Sequence, residues 1–210
     1  MGDVYWSIHA PLIARIAKEL NIKTVIETGT HYGVGTLQLA ALFDKVWTIE
    51  NDPVLVNFFR KNYAQIKKIQ MSQGSSPDIL VKILPKIEGR VLFFLDAHWF
   101  PSSPRSSFHE GTQCPVMHEL QTIHDFLNEK PNSVVMIDDA HMFLKSLPPS
   151  FNTHDFPRIG TLMQRIKESI DAEFVDVMDD VIIAGTNRLE GILEEYEADR
   201  KAAGAPYINR

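Results

Sequence analysis

Carboxylates follow four of the five apolar runs that have the length and composition of buried strands. They are Glu27, Glu50, Asp96 and the pair Asp138 and Asp139. In an open parallel sheet the carboxyl ends of the strands meet at one edge, and ligands bind there. One acid can simply cap a strand or a helix, but four sets of like charges repel one another unless a cation or a ligand organises them. The pattern therefore predicts a binding site at this edge.

A glycine-containing turn, Gly29 to Gly35, follows the first of these runs. Glycine allows a sharp turn and a close approach of the backbone to a ligand, and the helix after it offers free N–H groups. The spacing is G-x-x-x-G-x-G rather than the G-x-G-x-x-G of dinucleotide sites, and no Lys-Ser/Thr follows as in a P-loop. Glu27 beside the turn also favours an ammonium group over a phosphate.

Glu50 lies 23 residues after Glu27, at the end of the next apolar run. An acid at this position of a doubly wound sheet can accept hydrogen bonds from both hydroxyls of a ribose. NAD and S-adenosylmethionine (SAM) both contain that ribose, so Glu50 by itself leaves both cofactors open.

Apolar periodicity predicts the elements that must position these residues. We expect strands at about 24–26, 46–49, 66–71, 91–95 and 134–137, and helices at 11–20, 37–43, 53–63, 115–127 and 158–170, with another helix around Ile79 to Ile83. Segments 173–178 and 181–184 flank Asp179 and Asp180 and indicate a hairpin. Segment 190–201 is highly charged and predicts an exposed helix or tail.

These elements predict an α/β fold, with a doubly wound, mostly parallel, seven-stranded Rossmann-like sheet and a C-terminal antiparallel hairpin. We expect residues 1–210 to form a single domain with substrate loops at 99–114 and 141–157. The net charge of −6 argues against a nucleic-acid partner. With one cysteine, no signal-peptide pattern and no membrane-length apolar run, we expect a soluble, cytoplasmic protein without a membrane partner.

The run from Val25 to Gly35, with Glu50 and Gly74-Ser75-Ser76, resembles the SAM-binding half of class I SAM-dependent methyltransferases. The order of elements is similar along about residues 11–187. Leu95 to His98 and Ile137 to Asp139 are similar to metal-dependent O-methyltransferases, most of all the macrocin- and novobiocin-type sugar enzymes and more distantly the catechol enzymes.

The resemblance implies a role for each matching residue. Glu27 and the turn backbone would hold the methionine end of SAM, Glu50 the ribose hydroxyls, and Ser75 or Ser76 would lie near the adenine. The full implied cofactor set is Glu27, Gly29, Thr30, Gly33, Gly35, Glu50, Asn51, Ser75, Ser76 and Asp96. A divalent cation, with Mg²⁺ the expected ion, would be bound by Asp96, Asp138 and Asp139.

Two features depart from the sugar enzymes. The segment between Asp96 and Asp138 is longer, and His98 stands where those enzymes generally have an Asp. With Asp96, we expect His98 to be catalytic, since a histidine with an ordinary pKa of about 6.5 is mostly neutral at physiological pH, as a general base must be. His98 could equally be a metal ligand or a loop histidine bonded to backbone, and His141 is the reserve base.

Alternatives to the magnesium site and to the loops' function remain open. Three carboxylates without a basic neighbour suit a hard cation, whereas a softer zinc or iron site would use nitrogen and sulfur ligands. The aromatic loop residues fit either an acceptor pocket or plain packing. The soft-site candidates are His98, His109, Cys114, His118 and His141, and the loop residues are Trp99, Phe100, Arg105, Phe108 and Phe143.

The sequence therefore favours SAM-dependent methyl transfer to a hydroxyl of a small-molecule acceptor, assisted by a divalent cation. The acceptor can be a sugar, a catechol-like diol or a polyketide hydroxyl, and a homo-oligomer is left open. The alternatives are a metal-independent class I methyltransferase, a metal-dependent hydrolase or oxygenase, and a SAM- or nucleotide-binding module, because a fold does not specify a function.

Overall fold

A computed structural model describes residues 9–99, 111–130, 132–144, 146–170 and 172–204, and a seven-stranded sheet lies at its centre. The strand order is β3-β2-β1-β4-β5-β7-β6. β7 pairs antiparallel with both β5 and β6, and the other pairings are parallel. The predicted doubly wound sheet with a terminal hairpin is confirmed. The strands are β1 (Thr24–Thr28), β2 (Lys45–Glu50), β3 (Ile69–Gln73), β4 (Val91–Leu95), β5 (Val134–Ile137), β6 (Phe174–Met178) and β7 (Val181–Gly185).

Helices cover both faces of this sheet. They are α1 (Ala10–Glu19), α2 (Val34–Leu42), α3 (Pro53–Tyr63), α4 (Ser76–Ile83), α5 (Val116–Glu129), α6 (His141–Leu144), α7 (Ile159–Ile170) and α8 (Arg188–Ala202), with a 3₁₀ turn at Leu84–Lys86. In the described ranges, none of them has the length and apolar character that crossing a membrane requires.

The two faces of the sheet give β1 two different environments. Val25 packs in a core with α1, α2 and α8, and Ile26 packs in a second core with α4, α5 and α7. Successive side chains of a strand point to opposite faces. Glu27 therefore points toward α2, and Thr28 points toward α5, so the last two residues of β1 serve opposite sides of the site.

Several predicted boundaries were wrong. β3 begins at Ile69 rather than at 66, because the Ile66 N–H bonds the Tyr63 carbonyl and the Ile69 N–H bonds the Ile66 carbonyl, which makes 66–68 a turn. The strand then ends directly before Gly74. Helix α2 begins three residues earlier than predicted, and α6 forms inside the predicted loop 141–157. Of the other predicted loop, 99–114, residues 100–110 lie outside the described ranges.

The charged C-terminal segment is a helix with one buried side. Leu189, Ile192 and Leu193 of α8 lie in the same core as α1. Arg15 of α1 pairs with Asp199 at 2.5 Å and with Glu195 at 3.1 Å. Of the two predicted forms, an exposed helix or a tail, the structure has the helix, because apolar residues at helical spacing cover the sheet below it.

The hairpin between β6 and β7 brings a tight turn to the site. Asp179 and Asp180 both have positive φ, 49° and 69°, as the two central residues of a type I′ turn require. β7 runs antiparallel to β5, with Ile182 opposite Ile137. The turn therefore lies at the carboxyl end of β5, beside the Asp138–Asp139 pair.

Helix α4 offers a matched test of how the helices pack on the sheet. Leu80 is fully buried in the core beneath α4, whereas its neighbour Val81 is 61% exposed. We expect Leu80→Ala to lower the free energy of unfolding by about 2 to 5 kcal/mol through lost burial and the cavity left behind. Val81→Ala should change it by less than about 0.5 kcal/mol. Urea unfolding followed by circular dichroism measures both, and equal losses would contradict the packing described.

Candidate functional site

The glycine turn joins the carboxyl ends of β1, β2 and β4. Gly29 and Gly33 have φ of 86° and 84°, which glycine adopts without strain. A Cβ on Gly29 would lie 2.1 Å from the Asp96 carbonyl oxygen, and one on Gly33 would lie 2.6 Å from the Phe59 ring. The Gly29 N–H also donates to the Ile49 carbonyl of β2 at 2.9 Å. Only glycine at position 29 allows the turn to approach the end of β4 this closely.

Glu27 supports this turn from below. It is buried, and its Oε2 accepts hydrogen bonds from the hydroxyls of Thr36 at 2.5 Å and Thr48 at 2.6 Å. The hydroxyl of Thr30, within the turn, lies 2.5 Å from that of Thr48. Burial raises the pKa of Glu27 to about 8, against the opposing effect of the two hydroxyl donors, and the nearby Asp96 adds to the rise.

Glu50 ends β2 and is held by backbone donors. Its Oε2 accepts from the His31 N–H at 2.8 Å and its Oε1 from the Asp52 N–H at 2.9 Å. Burial raises the pKa of Glu50, and these backbone donors oppose the rise. Asp52 in turn caps α3 by accepting from the Val54 N–H at 2.7 Å. The carboxylate has about four lone-pair sites, more than its backbone donors occupy, so it can still accept a ribose hydroxyl.

Beyond β4, His98 lies between two of the predicted metal ligands. Its Nε2 is 3.0 Å from Asp139 Oδ2 and 3.3 Å from Asp96 Oδ1. Burial by itself lowers the pKa of His98, but the hydrogen bonds and negative charges of Asp139 and Asp96 outweigh it and hold that pKa well above its ordinary value. The structure thus brings Asp96 and Asp139 together around an imidazole.

Asp138 is arranged differently from its neighbour. Its Oδ1 accepts from the N–H of Asp139 at 2.9 Å. Burial raises the pKa of Asp138 well above its ordinary value, and the charges of Asp96 and Asp139 raise it further. Among the described residues, two groups have potential ligand atoms within 4.8 Å of one another, and Asp138 belongs to neither: Asp96, His98 and Asp139, and Asp139, His141 and Asp180.

Asp180, which sequence reasoning missed, holds the loop after β5. Its Oδ1 accepts from the His141 N–H at 2.8 Å, its Oδ2 lies 2.7 Å from His141 Nδ1, and its carbonyl accepts from the Ala140 N–H at 2.7 Å. Arg200 of α8 pairs with the adjacent Asp179. The reserve base His141 is therefore bound to the hairpin turn. The sequence signal was the Asp-Asp turn itself, but its proximity to β5 arises only from the strand order.

Aromatic rings close over His98. Phe156 lies 6.4 Å from the imidazole between ring centroids, and Phe151 lies 5.3 Å from Trp99. Their segment is attached to the chain before α5, since the Gln113 N–H donates to Asp155 at 2.7 Å. The His98 side chain is only 8% exposed. These aromatics pack over the site, and Phe100, Arg105 and Phe108 lie outside the described residues.

Of the five candidates for a softer metal site, His98 and His141 each join carboxylates in a group of potential ligands within the described part of the chain. Cys114 is buried, and burial raises the pKa of its thiol to about 12, so it resists forming the thiolate that metals bind. His118 is exposed on α5, and neither residue joins the groups of potential ligands. His109 lies outside the described residues.

Sequence reasoning also missed a buried acid on α5. Glu119 is 1% exposed, and burial raises its pKa to about 7 although the hydroxyls of Ser76 and Thr28 oppose the rise. The hydroxyl of Ser76, the predicted adenine contact, lies close enough to Glu119 to lower its pKa, but the two do not meet in good hydrogen-bond geometry. Position 119 falls in a predicted amphipathic helix, where an acid gives no sign of burial. Ser75, which directly precedes Ser76, is half-buried at the N-terminus of α4.

Comparison with solved structures identifies the fold. The chain is similar to a Podospora anserina methyltransferase bound to S-adenosylhomocysteine (SAH), at 16% identity over 85% of this chain and 77% of that one, with a TM-score of 0.52. It is similar to a Bacillus cereus O-methyltransferase in complex with SAH, at 16% identity over 83% and 80%, with a TM-score of 0.53. It is also similar to a Streptomyces achromogenes O-methyltransferase of tomaymycin synthesis in complex with SAM, at 14% identity over 85% and 79%, with a TM-score of 0.50.

The chain therefore has the fold of class I SAM-dependent methyltransferases, as the sequence resemblance predicted. No protein-family model matches it, and no curated protein matches it. At these identities the likeness extends to the fold alone.

The buried state of Glu27 predicts a pH effect on stability. The pKa is about 8 in the folded protein against 4.5 for an ordinary glutamate, so between these values folding takes up a proton. The contribution of Glu27 to the free energy of unfolding must then fall as pH rises, by at most about 1.4 kcal/mol per pH unit. Glu27→Gln cannot titrate and should gain stability relative to the wild type from pH 5 to pH 8. Urea unfolding across this range tests it, and a difference that is constant with pH would contradict it.

Proposed function

We propose that the protein transfers the methyl group of SAM to a hydroxyl of a small-molecule acceptor. One observation carries this function: Glu50 is held by two backbone N–H groups beside a tight glycine turn, at the sheet edge of a methyltransferase fold. A carboxylate fixed in this way suits the two hydroxyls of a ribose. One of the similar structures is an O-methyltransferase of tomaymycin synthesis, and that similarity supports a small acceptor.

The residues of the turn fit the rest of SAM. The turn backbone from Gly29 through Thr30 and Gly33 to Gly35 lies close to the end of β4, since a Cβ on Gly29 would meet the Asp96 carbonyl. An ammonium group bound beside the Glu27 carboxyl would favour the charged form of that carboxyl. Asn51 extends the ribose site, and Asp96 borders the methionine end. SAM supplies the electrophile of the reaction, which is a methyl group bound to a positively charged sulfur.

A divalent cation would be bound where Asp96 and Asp139 converge, with Asp138 beside them. Burial and the charge of Asp139 raise the pKa of Asp96, and burial and the charges of Asp96 and Asp139 raise that of Asp138. A cation would relieve this repulsion. Carboxylate oxygens suit Mg²⁺ or Mn²⁺, whereas a nitrogen from His98 would favour zinc or iron. The cation would lower the pKa of the acceptor hydroxyl.

A metal-independent methyltransferase is the second candidate, and the position of His98 favours it. Its Nε2 already lies at 3.0 and 3.3 Å from the two carboxylates, so a protonated imidazole can supply the positive charge that a cation would supply. Held in this way, His98 orients Asp96 and Asp139 and does not take the acceptor's proton. As a general base, His98 must turn its Nε2 away from both acids.

Cofactor binding tests the proposed function directly. SAH should bind with a Kd in the micromolar range, about −7 to −8 kcal/mol. Glu50→Ala should weaken binding by about 1.5 to 3 kcal/mol, because it removes a charged acceptor of ribose hydroxyls. Titration calorimetry measures both, with Glu88→Ala, an exposed acid away from the sheet edge, as the control. Binding of NAD but not of SAH would overturn the methyltransferase function.

Chelation separates the two candidates. If a cation is required, excess EDTA should abolish turnover, Mn²⁺ or Mg²⁺ should restore it, and Asp139→Asn should lower kcat by at least about a hundredfold with little change in SAH affinity. If the imidazole replaces the cation, turnover should survive EDTA, and His98→Ala should remove it. Turnover that is unchanged both by EDTA and by His98→Ala would show that neither a cation nor the imidazole supplies positive charge at Asp96 and Asp139. A panel of sugar and catechol hydroxyl acceptors provides the assay.

A further inference from the structure

A second group of possible metal ligands joins Asp139 to the β6–β7 hairpin. Asp139 Oδ1 lies 3.7 Å from His141 Nδ1, and Asp180 Oδ2 lies 2.7 Å from the same nitrogen. One ligand atom from each of these three residues lies within 4.8 Å of the other two. The loop after β5, the start of α6 and the β6–β7 turn therefore meet at one point beside the sheet edge.

The carboxylate of Asp139 has one oxygen on each side. Its Oδ2 lies 3.0 Å from His98 Nε2, whereas its Oδ1 is the oxygen near His141. Asp96 belongs only to the group around His98, and Asp180 belongs only to the group around His141. A cation on the Oδ1 side therefore does not require His98 to leave its place between Asp96 and Asp139.

The distances around His141 suit a small dication. Zn²⁺ binds imidazole nitrogen and carboxylate oxygen at about 2.0 to 2.2 Å, so neighbouring ligand atoms at angles of about 90° to 110° are about 3.0 to 3.4 Å apart. The two observed separations, 2.7 and 3.7 Å, lie on either side of this range, and shifts of a few tenths of an ångström bring both into it. An imidazole nitrogen among carboxylates favours zinc or iron over Mg²⁺.

The hydrogen bond between His141 and Asp180 does not by itself balance the charge of this group. The Nδ1 atom carries one proton at most, and the negative charges of Asp139 and Asp180 both lie beside it. Asp179, the other acid of the turn, pairs with Arg200 of α8. Two like charges this close favour a cation between them, and a dication would neutralise both carboxylates at once.

Solvent reaches this group more easily than it reaches His98. The His141 side chain is 40% exposed, whereas the His98 side chain is 8% exposed and lies beneath the ring of Phe156. Three protein ligands with an open side leave a coordination position for water or for an oxygen of another molecule. The group at the hairpin therefore has both the ligands and the access that an exchangeable metal ion needs.

We propose that Asp139, His141 and Asp180 form a binding site for a transition-metal dication, with Zn²⁺ as the ion that their ligand atoms match. The ion lies on the Oδ1 side of Asp139, separate from the cation position between Asp96 and Asp139, and it ties the β6–β7 turn to the loop after β5. The site goes beyond the proposed methyl transfer, because its ligands need neither SAM nor an acceptor to bind the ion.

Titration calorimetry of the untagged protein with Zn²⁺ alone tests the site. One bound ion should survive Asp96→Asn and should be weakened at least about tenfold by Asp180→Asn, since the loss of even a group that only orients a metal ligand costs about 10- to 100-fold in affinity. Asp125→Asn is the matched control, because Asp125 is an exposed acid 3.8 Å from His124 on α5, and it should leave the affinity unchanged.

Asparagine at position 180 preserves the turn. Its side-chain oxygen can still accept from the His141 N–H, and asparagine tolerates the positive φ of 69° there. Should this variant fail to fold, nitrogen NMR of the imidazole rings decides with the wild type, because Zn²⁺ should shift the ring nitrogens of His141 more than those of His98.

Three results would overturn the proposal: no Zn²⁺ binding, an ion that is lost in Asp96→Asn but kept in Asp180→Asn, or ring shifts confined to His98. None of them bears on SAH binding, which tests the proposed function separately. A protein that binds SAH but no zinc therefore keeps the methyltransferase function and loses only this site.

Discussion

The crowding of acidic groups at one edge of the sheet is the constraint on which the rest of the site depends. Each acid is balanced by a different donor. Two hydroxyls bond Glu27, two backbone N–H groups bond Glu50, and one imidazole lies between Asp96 and Asp139. Because charge buried without such partners is strongly unfavourable, these donors determine how the turns around the site must fold.

Close backbone contacts fix the relative positions of the turns that carry these groups. The turn after β1 touches the end of β4 at Gly29, and any side chain there would separate the two strands. On the other side of the site, the β6–β7 turn holds the loop after β5 through Asp180 and is itself attached to α8 through Asp179 and Arg200. The first turn of the parallel core and the C-terminal hairpin therefore both shape the same edge.

The site divides into two halves with different electrostatic needs. The half around Glu50 has neutral backbone donors and spare acceptor capacity, which suits a polar nucleoside. The half around Asp96 and Asp139 concentrates negative charge beneath the rings of Phe151 and Phe156. An aromatic cover lowers the local dielectric and strengthens the attraction for any positive charge. Under the proposed function, this position would hold either a protonated His98 or a metal ion, because two positive charges this close repel each other.

The amino-acid sequence by itself determined the alternation of strands and helices, the hairpin, and the placement of Glu27, Glu50, Asp96 and the Asp138–Asp139 pair at strand ends. These follow from local periodicity, because a parallel sheet brings all its carboxyl ends to one edge. Only the tertiary structure decided that Glu27 turns inward to Thr36, that His98 enters between Asp96 and Asp139, and that Asp180 and Glu119 join the site. Such contacts join residues that are far apart in the chain, and their geometry depends on strand order, strand facing and burial, which no local pattern encodes.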